Sequence, residues 1–295
     1  MNKKKRVAYL IMEDQGNFVI DYYLSFEPMT HLGWEVEEVA WRSGPDWNDF
    51  DAVYVCTPWD YPEHADEFIA VLEAINASKA VLCNPLSTIR WNLEKTYMRD
   101  IAARGDDIVP STWYEDFNGS DVPRYFKEHG VDRVVIKPII GGNAKDTFVL
   151  ERPVDEDRLR KLAGTFSGRP FFVQPFIENI QSEGEFSLFF FNGEYSHAIL
   201  KSPKAGDFRV QEEHGADITS VLPPTELLVI AHTVFAHIDP LPVYGRGDWV
   251  RGPDGRFLLM ELELIEPSLY LRTDSAASSR FARAFDQWFE ELARE

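Results

Sequence analysis

Leu259-Met260-Glu261-Leu262-Glu263-Leu264 decides how the rest of the chain reads. Apolar residues flank both acids, as in a strand covered by protein, and the two-residue period of a strand puts Glu261 and Glu263 on one face. Two like charges side by side on a buried face are strongly unfavourable unless a cation neutralises them. Another acid, Asp248, lies in the preceding apolar run 243–250, two residues after Arg246. Hard carboxylate oxygens suit Mg²⁺, which takes one or two carboxylates and fills its shell from substrate phosphates. A sheet with one solvated acidic face would carry the same residues, and this segment alone does not separate the two readings.

Working outward, Val135-Ile136-Lys137-Pro138 ends a strand with a lysine and leads directly into Ile139-Ile140-Gly141-Gly142-Asn143-Ala144-Lys145. Paired glycines let backbone N–H groups approach an anion, and a strand-borne lysine sets a fixed positive charge beside it. Alone, this is equally a hairpin between strands 134–137 and 147–150; it is not G-x-x-x-x-G-K-[ST], and no helix opens after it. Lys201, Arg209 and Arg246 supply further cations, and Arg246 shares a strand face with Asp248, its fork able to grip a carboxylate or phosphate. Singly they read as surface ion pairs. Together with the lysine and glycines they describe a cleft that holds magnesium polyphosphate.

Strand and helix patterns alternate over residues 1–88: strands at 7–12, 35–41, 51–56 and 80–83, helices at 17–32 and 65–76. This is a mostly parallel, doubly wound, Rossmann-like sheet. No G-x-G-x-x-G follows the first strand, where Glu13-Asp14-Gln15-Gly16-Asn17 stands, so a dinucleotide site is excluded and Asn17 reads as a helix N-cap. A helix over 93–104 opens a small central α+β lobe, residues 89–171, with helices at 122–129 and 154–166. From 172 to 295 the pattern is mostly antiparallel: strands 172–177, 185–191 and 194–200, the last two hinged at Asn192-Gly193, then 243–250 and 256–264. Helices are expected at 225–237 and 274–295.

The order of these motifs resembles the ATP-grasp superfamily, with residues 1–88 similar to the domain that precedes the ATP-grasp lobes. Lys95 and Lys137 match its two nucleotide-phosphate lysines, and Gly141, Gly142 and Asn143 its mobile glycine-rich loop. Phe172-Val173-Gln174-Pro175-Phe176-Ile177 resembles the hinge strand that receives adenine, Gln174, Phe176 and Ile177 facing the base. Glu185 and Glu178 fall where the family places a ribose-binding acid. Lys201 through Arg209, then His214-Gly215, resembles the Lys…Gly-Glu-Phe-Arg…Gly-Gly stretch of glutamate ligases. Arg246-x-Asp248 and Glu261-x-Glu263 resemble the Arg-x-Asp and Glu-x-Asn metal signatures, with Glu263 in place of asparagine. Ile265-Glu266-Pro267-Ser268-Leu269-Tyr270-Leu271 departs from the common Pro-Gly ending and is most similar to the cycloserine-pathway branch, typified by O-ureido-serine cyclo-ligase.

The resemblance implies an ATP-dependent ligase using two Mg²⁺ ions, with Mn²⁺ as a substitute, at Asp248, Glu261 and Glu263. A small-molecule carboxylate would become an acyl phosphate, and an amine, in the same molecule or another, would attack it, assisted by Arg209, Arg246 and Lys201. His214 is a candidate base, or simply a turn residue. A nucleotide sensor that has lost catalysis, or a kinase that stops at the phosphorylated substrate, would use the same cleft. Family habit implies a homodimer.

Composition limits the partners. The 30 Lys+Arg against 49 Asp+Glu give a net charge of −19, which repels nucleic acid and anionic membrane surfaces. A 44% hydrophobic, 14% aromatic chain of 295 residues forms large cores. Cys56 and Cys83 end apolar runs and read as buried thiols, consistent with a reducing cytoplasm. The apolar run after Lys3-Lys4-Lys5-Arg6 stops at Glu13-Asp14, too short for an export signal, and no stretch approaches ~20 apolar residues.

Overall fold

The structure, a computed structural model, describes residues 4–292 and 294. Its first layer holds β1 (Lys5–Ile11), α1 (Phe26–His31), β2 (Trp34–Ala40), β3 (Ala52–Thr57), α2 (Ala65–Asn76) and β4 (Val81–Cys83). The four strands form a parallel sheet in the order β2-β1-β3-β4. β3, covered on both faces, is buried along its whole length, as its unbroken apolar run demands. Both cysteines are free and buried.

A continuous helix over 17–32 does not form. Only a 3₁₀ turn at Tyr22–Ser25 and α1 do, because Pro28 would sit in the middle of the longer helix; in α1 it occupies the third position, where no intrahelical N–H is needed. Asn17 therefore caps no helix. The helix expected over 93–104 is likewise two: α3 (Leu86–Leu93) and α4 (Tyr97–Ala103). The break frees the Lys95 amide to donate to the Ile139 carbonyl at 2.9 Å, tying this turn to the central lobe.

The central sheet contains β5 (Thr112–Tyr114), β6 (Arg133–Pro138), β7 (Phe148–Glu151) and β8 (Phe171–Pro175), in the order β5-β8-β6-β7, covered by α5 (Val122–His129) and α6 (Glu156–Phe166). β8 thus corrects the placement of this strand in a third lobe starting at 172: it is hydrogen-bonded between β5 and β6. After α7 (Asn179–Ser182) come β9 (Glu185–Phe191), β10 (Glu194–Ser202), β11 (Asp217–Ser220), α8 (Thr225–Ala236), β12 (Tyr244–Arg251) and β13 (Phe257–Glu263), and α9 (Ala277–Leu292) closes the chain. These five strands form an antiparallel sheet in the order β11-β10-β9-β12-β13. Asn192 and Gly193 both take positive φ, 48° and 75°, as a two-residue hairpin requires. Helix α9 begins three residues later than expected, and residues 293 and 295 of that expectation lie outside the described residues.

Helix α9 packs its apolar face against both the first and third layers: Phe281 contacts Tyr54 and Phe191, while Phe285 meets Trp34. Two buried asparagines add polar joints. Asn84, at the end of β4, accepts from Val243 N (2.7 Å) and donates to the Tyr244 and Leu264 carbonyls (3.0 and 2.9 Å). Asn92, in α3, accepts from Leu264 N (2.8 Å) and donates to the Leu262 carbonyl (2.8 Å). No helix among the described residues is long and apolar enough to cross a membrane.

Each buried backbone group left without its partner costs about 1–3 kcal/mol. Asn84→Ala strands three, so urea unfolding is expected to show a loss of about 3 kcal/mol or more; a loss below about 1 kcal/mol would show that this joint does not hold the layers together.

Candidate active site

One face of the five-stranded sheet carries the chemistry, and strand register assembles it. Lys201 of β10 is paired with Glu185 of β9, Asp248 of β12 with Ser187 of β9 and Glu261 of β13, and Arg246 with Glu263. The opposite face is apolar: Phe186, Leu188, Phe190 and Trp249 pack on Leu227, Ala231, Val234 and Phe235 of α8. Gly247 separates Arg246 from Asp248 because a Cβ there would lie 2.1 Å from the Trp249 ring. Between Asp248 and Trp249 the register slips by one residue of β13, so Leu259 packs in the same cluster as Leu262 and Leu264 despite its odd spacing. The bulge lies beside the acids, and pairing resumes with Trp249 opposite Leu259.

One ligand oxygen each from Asp248, Glu261 and Glu263 lie within 4.8 Å of one another. Cations hold this charge in place. Arg246 grips Asp248 through Nε (3.1 Å) and Nη2 (3.1 Å) and also pairs with Glu263. Lys201 lies 3.0 Å from Glu185 and 3.4 Å from Asp248, and the Ser187 hydroxyl donates to Asp248 at 2.5 Å. Lys95 reaches Glu261 at 2.7 Å and the Gly141 carbonyl at 2.8 Å. Burial opposes the charge on Asp248, but Arg246 and Lys201 outweigh it and lower its pKa. Burial and Arg246 oppose the charge on Lys201; Asp248 and Glu185 outweigh both and raise it. Glu263 is pushed up to about 7 by burial, partly relieved by Arg246 and reinforced by Glu261 and Asp248. Three hard oxygen donors converging at this spacing fit Mg²⁺.

Across the cleft, Lys137 stands at the end of β6, its pKa drawn down by burial and only partly restored by Glu261 and Glu185. Among the described residues no carboxylate lies within ion-pair distance of it. The segment after it turns through positive φ at Asn143, Ala144 and Asp146 (52°, 54° and 56°), and Gly141 and Gly142 line the cleft. Gln174, Phe176 and Ile177 line its far end, the Gln174 amide donating to the Ser111 hydroxyl at 2.9 Å. Arg209 also lines the cleft, held by Asp207 at 2.7 Å.

One expectation fails, and one open alternative closes. Glu178 is turned outward, 65% exposed and paired with Arg133, whose guanidinium stacks 3.9 Å over Phe176; stacking fixes the arginine where it captures Glu178, leaving Glu185 as the acid of that pair within the cleft. Of the two readings of His214, the turn residue holds: it ends a 3₁₀ turn before Gly215 and does not line the cleft. Sequence reasoning also missed Trp59, Tyr61 and Glu266. The first two arrive from the parallel sheet's loops, and Glu266 stood in a run quoted only for its departure from the Pro-Gly ending.

A family model described as the N-terminal domain of D-cycloserine synthetase DcsG matches residues 7–84. The cycloserine biosynthesis protein DcsG of Streptomyces lavendulae is 31% identical over 293 residues, covering 93% of this chain and 96% of that protein. The crystal structure of D-cycloserine synthetase DcsG superposes with a TM-score of 0.85 at 28% identity, covering 96% of this chain and 99% of that one. D-alanyl-alanine synthetase A from Vibrio cholerae (TM-score 0.71, 16% identity, 99% of each chain) shares the fold. So does the ATP-grasp ligase PsnB, solved with a minimal precursor, Mg and ADP (TM-score 0.64, 14% identity, 96% of this chain and 98% of that one).

A metal ion held at the position of Glu263 would bind in a pH-dependent way. A carboxyl raised from 4.5 to about 7 favours the native state while protonated, a contribution lost as pH rises through about 7. The ion needs the carboxylate form, so the rise in melting temperature produced by Mg²⁺ with ADP is expected to grow from pH 6 to pH 8 and then level off. In Glu263→Gln the rise should be smaller and flat with pH; scanning fluorimetry across this range checks both.

Proposed function

Because the chain belongs to the DcsG family of ATP-grasp ligases, we propose that it activates the carboxylate of a small amino-acid derivative with ATP and closes that molecule into a ring through its own nitrogen. The enzyme is an ATP-dependent ligase; ring closure, the two metal ions and the role of each residue are the proposed part. The observation that carries the proposal is the convergence of three carboxylates in the cleft that Lys137 also lines, a half-buried lysine that lacks a carboxylate partner among the described residues. An acidic cluster facing an unmatched cation is the arrangement that a metal-bound polyphosphate completes.

Lys95, Lys137 and the 141–146 turn would hold the polyphosphate oxygens, while Gln174, Phe176 and Ile177 receive the base and Glu185 the ribose. Asp248, Glu261 and Glu263 would hold Mg²⁺, which when bound neutralises phosphate charge. Lys201 fixes Asp248 and Glu185. The substrate carboxylate attacks the γ-phosphorus; the new O–P bond forms as the bridging bond to ADP breaks. Arg246 and Arg209 steady the acyl phosphate and then the oxyanion formed when the nitrogen attacks the acyl carbon. The C–N bond forms, the C–O bond breaks, and inorganic phosphate leaves. Water would hydrolyse the acyl phosphate, and the turn after Lys137, which lines the cleft, would cover it. The 89–171 and 172–295 lobes, with β8 moved to the former, would close on ATP.

Protein incubated with ATP, Mg²⁺ and O-ureidoserine or pooled amino acids is expected to release phosphate only when substrate is present and to yield a cyclised mass. ADP binding without substrate-dependent phosphate release from any pool would refute the ligase chemistry. Phosphate release with a linear amide product would refute ring closure alone. Glu261→Gln keeps the side-chain volume and removes one ligand charge; a loss of at least about 100-fold in kcat is expected, on the scale of a lost electrostatic contact in a transition state. Full activity in that variant would remove Glu261 from the metal site.

A further inference from the structure

Seven acids line the cleft, and five have cation partners: Glu185 with Lys201, Asp248 and Glu263 with Arg246, Glu261 with Lys95, and Glu212 with Arg272. Glu213 is exposed at the rim. Glu266 remains. It is half-buried, and among the described residues no cation lies within ion-pair distance of it. Lys95, whose charge reaches Glu266, directs its hydrogen bonds to Glu261 and the Gly141 carbonyl.

The surroundings of Glu266 belong to the parallel sheet's loops. The Trp59 indole N–H donates to the Glu266 carbonyl oxygen at 2.9 Å and fixes the backbone there, with Phe18 edge-on to Trp59 at 5.0 Å. Tyr61 lines the same cleft wall as Glu266 and stacks on Phe68, 4.6 Å between centroids. The result is an acid on a backbone fixed by Trp59, lining the cleft beside two aromatic residues; burial pushes its carboxyl up to about 8, so a cation seated against it would stabilise the charged form. Its place beside the phosphoryl-transfer centre narrows the ligand further. Glu266 lies three residues past Glu263, and an α-amino acid carries its ammonium only one carbon from the carboxyl carbon that reacts.

We infer that Glu266, walled by Tyr61 and Trp59, is the subsite for the α-ammonium of the substrate, and that it restricts the enzyme to zwitterionic amino-acid derivatives over simple carboxylic acids. This rests on the ligase reading for the position of the carboxylate. Glu266 therefore sets specificity, while Arg246 and the metal acids act on the reacting carboxyl group.

The test compares O-ureidoserine with 3-(ureidooxy)propanoate, which lacks only the α-ammonium, by calorimetric binding in the presence of ADP and Mg²⁺ and by kcat/KM. A charge-assisted hydrogen bond corresponds to about 10- to 100-fold in affinity, so native protein should prefer the zwitterion by that factor. In Glu266→Gln the preference should fall to within about threefold of unity, and in Glu266→Asp it should partly return. ADP titration of each variant verifies folding. A preference that survives in Glu266→Gln, or is absent from the native protein, overturns the subsite. Selective binding of the zwitterion without phosphate release keeps the subsite and refutes the ligase chemistry instead.

Discussion

Charge crowding on one face of a single sheet governs this protein. Asp248, Glu261 and Glu263 are carried to within a few ångströms of each other by strand register, with Asp248 buried and the two glutamates half-buried. Arg246, Lys201 and Lys95 offset the repulsion, and each is positioned by the same register or by the α3–α4 break. The compensation is uneven: Asp248 is driven further toward its charged form, while Glu263 is left near neutrality in its acid strength. That unevenness leaves the crowded face short of positive charge.

The other layers answer to that face. Asn84 and Asn92 bond to the backbone of β12 and the end of β13, so the parallel sheet and α3 are registered against the strands that carry the acids. The Tyr244 hydroxyl adds a bond to the Ile265 carbonyl at 2.7 Å. Because the joints are hydrogen bonds of fixed geometry, they place Trp59 and Tyr61 at the cleft more tightly than apolar packing alone would. The first layer thereby supplies Trp59 and Tyr61 to the cleft, while the central sheet supplies Lys137 and the turn after it.

Much of this was legible in the residues. The shared face of Glu261 and Glu263, the proximity of Arg246 to Asp248, the Asn192-Gly193 hairpin and the four parallel strands all follow from local periodicity or local steric rules. The 17–32 helix failed for a local reason, Pro28, and the other expectations failed where a distant partner decided. Lys95 sits at a helix break because its amide bonds to Ile139 across lobes, and β8 joins the central sheet because β5 and β6 offer it two edges. The sequence offers Glu185 ahead of Glu178 for one role without excluding the latter; Arg133, stacked on Phe176, draws Glu178 out of the cleft. The bulge at Met260 also escaped the simple alternation of β13.

The sequence by itself determined which residue types stand on each strand face and how many charges the cleft must reconcile, since a two-residue period and the chemistry of a side chain are local properties. Tertiary structure alone decided which acid meets which cation. Ion pairing depends on distance between elements far apart in the chain, and so only the assembled sheet could show that Lys201 serves Glu185, that Lys95 serves Glu261, and that Glu266 is left without a partner among the described residues.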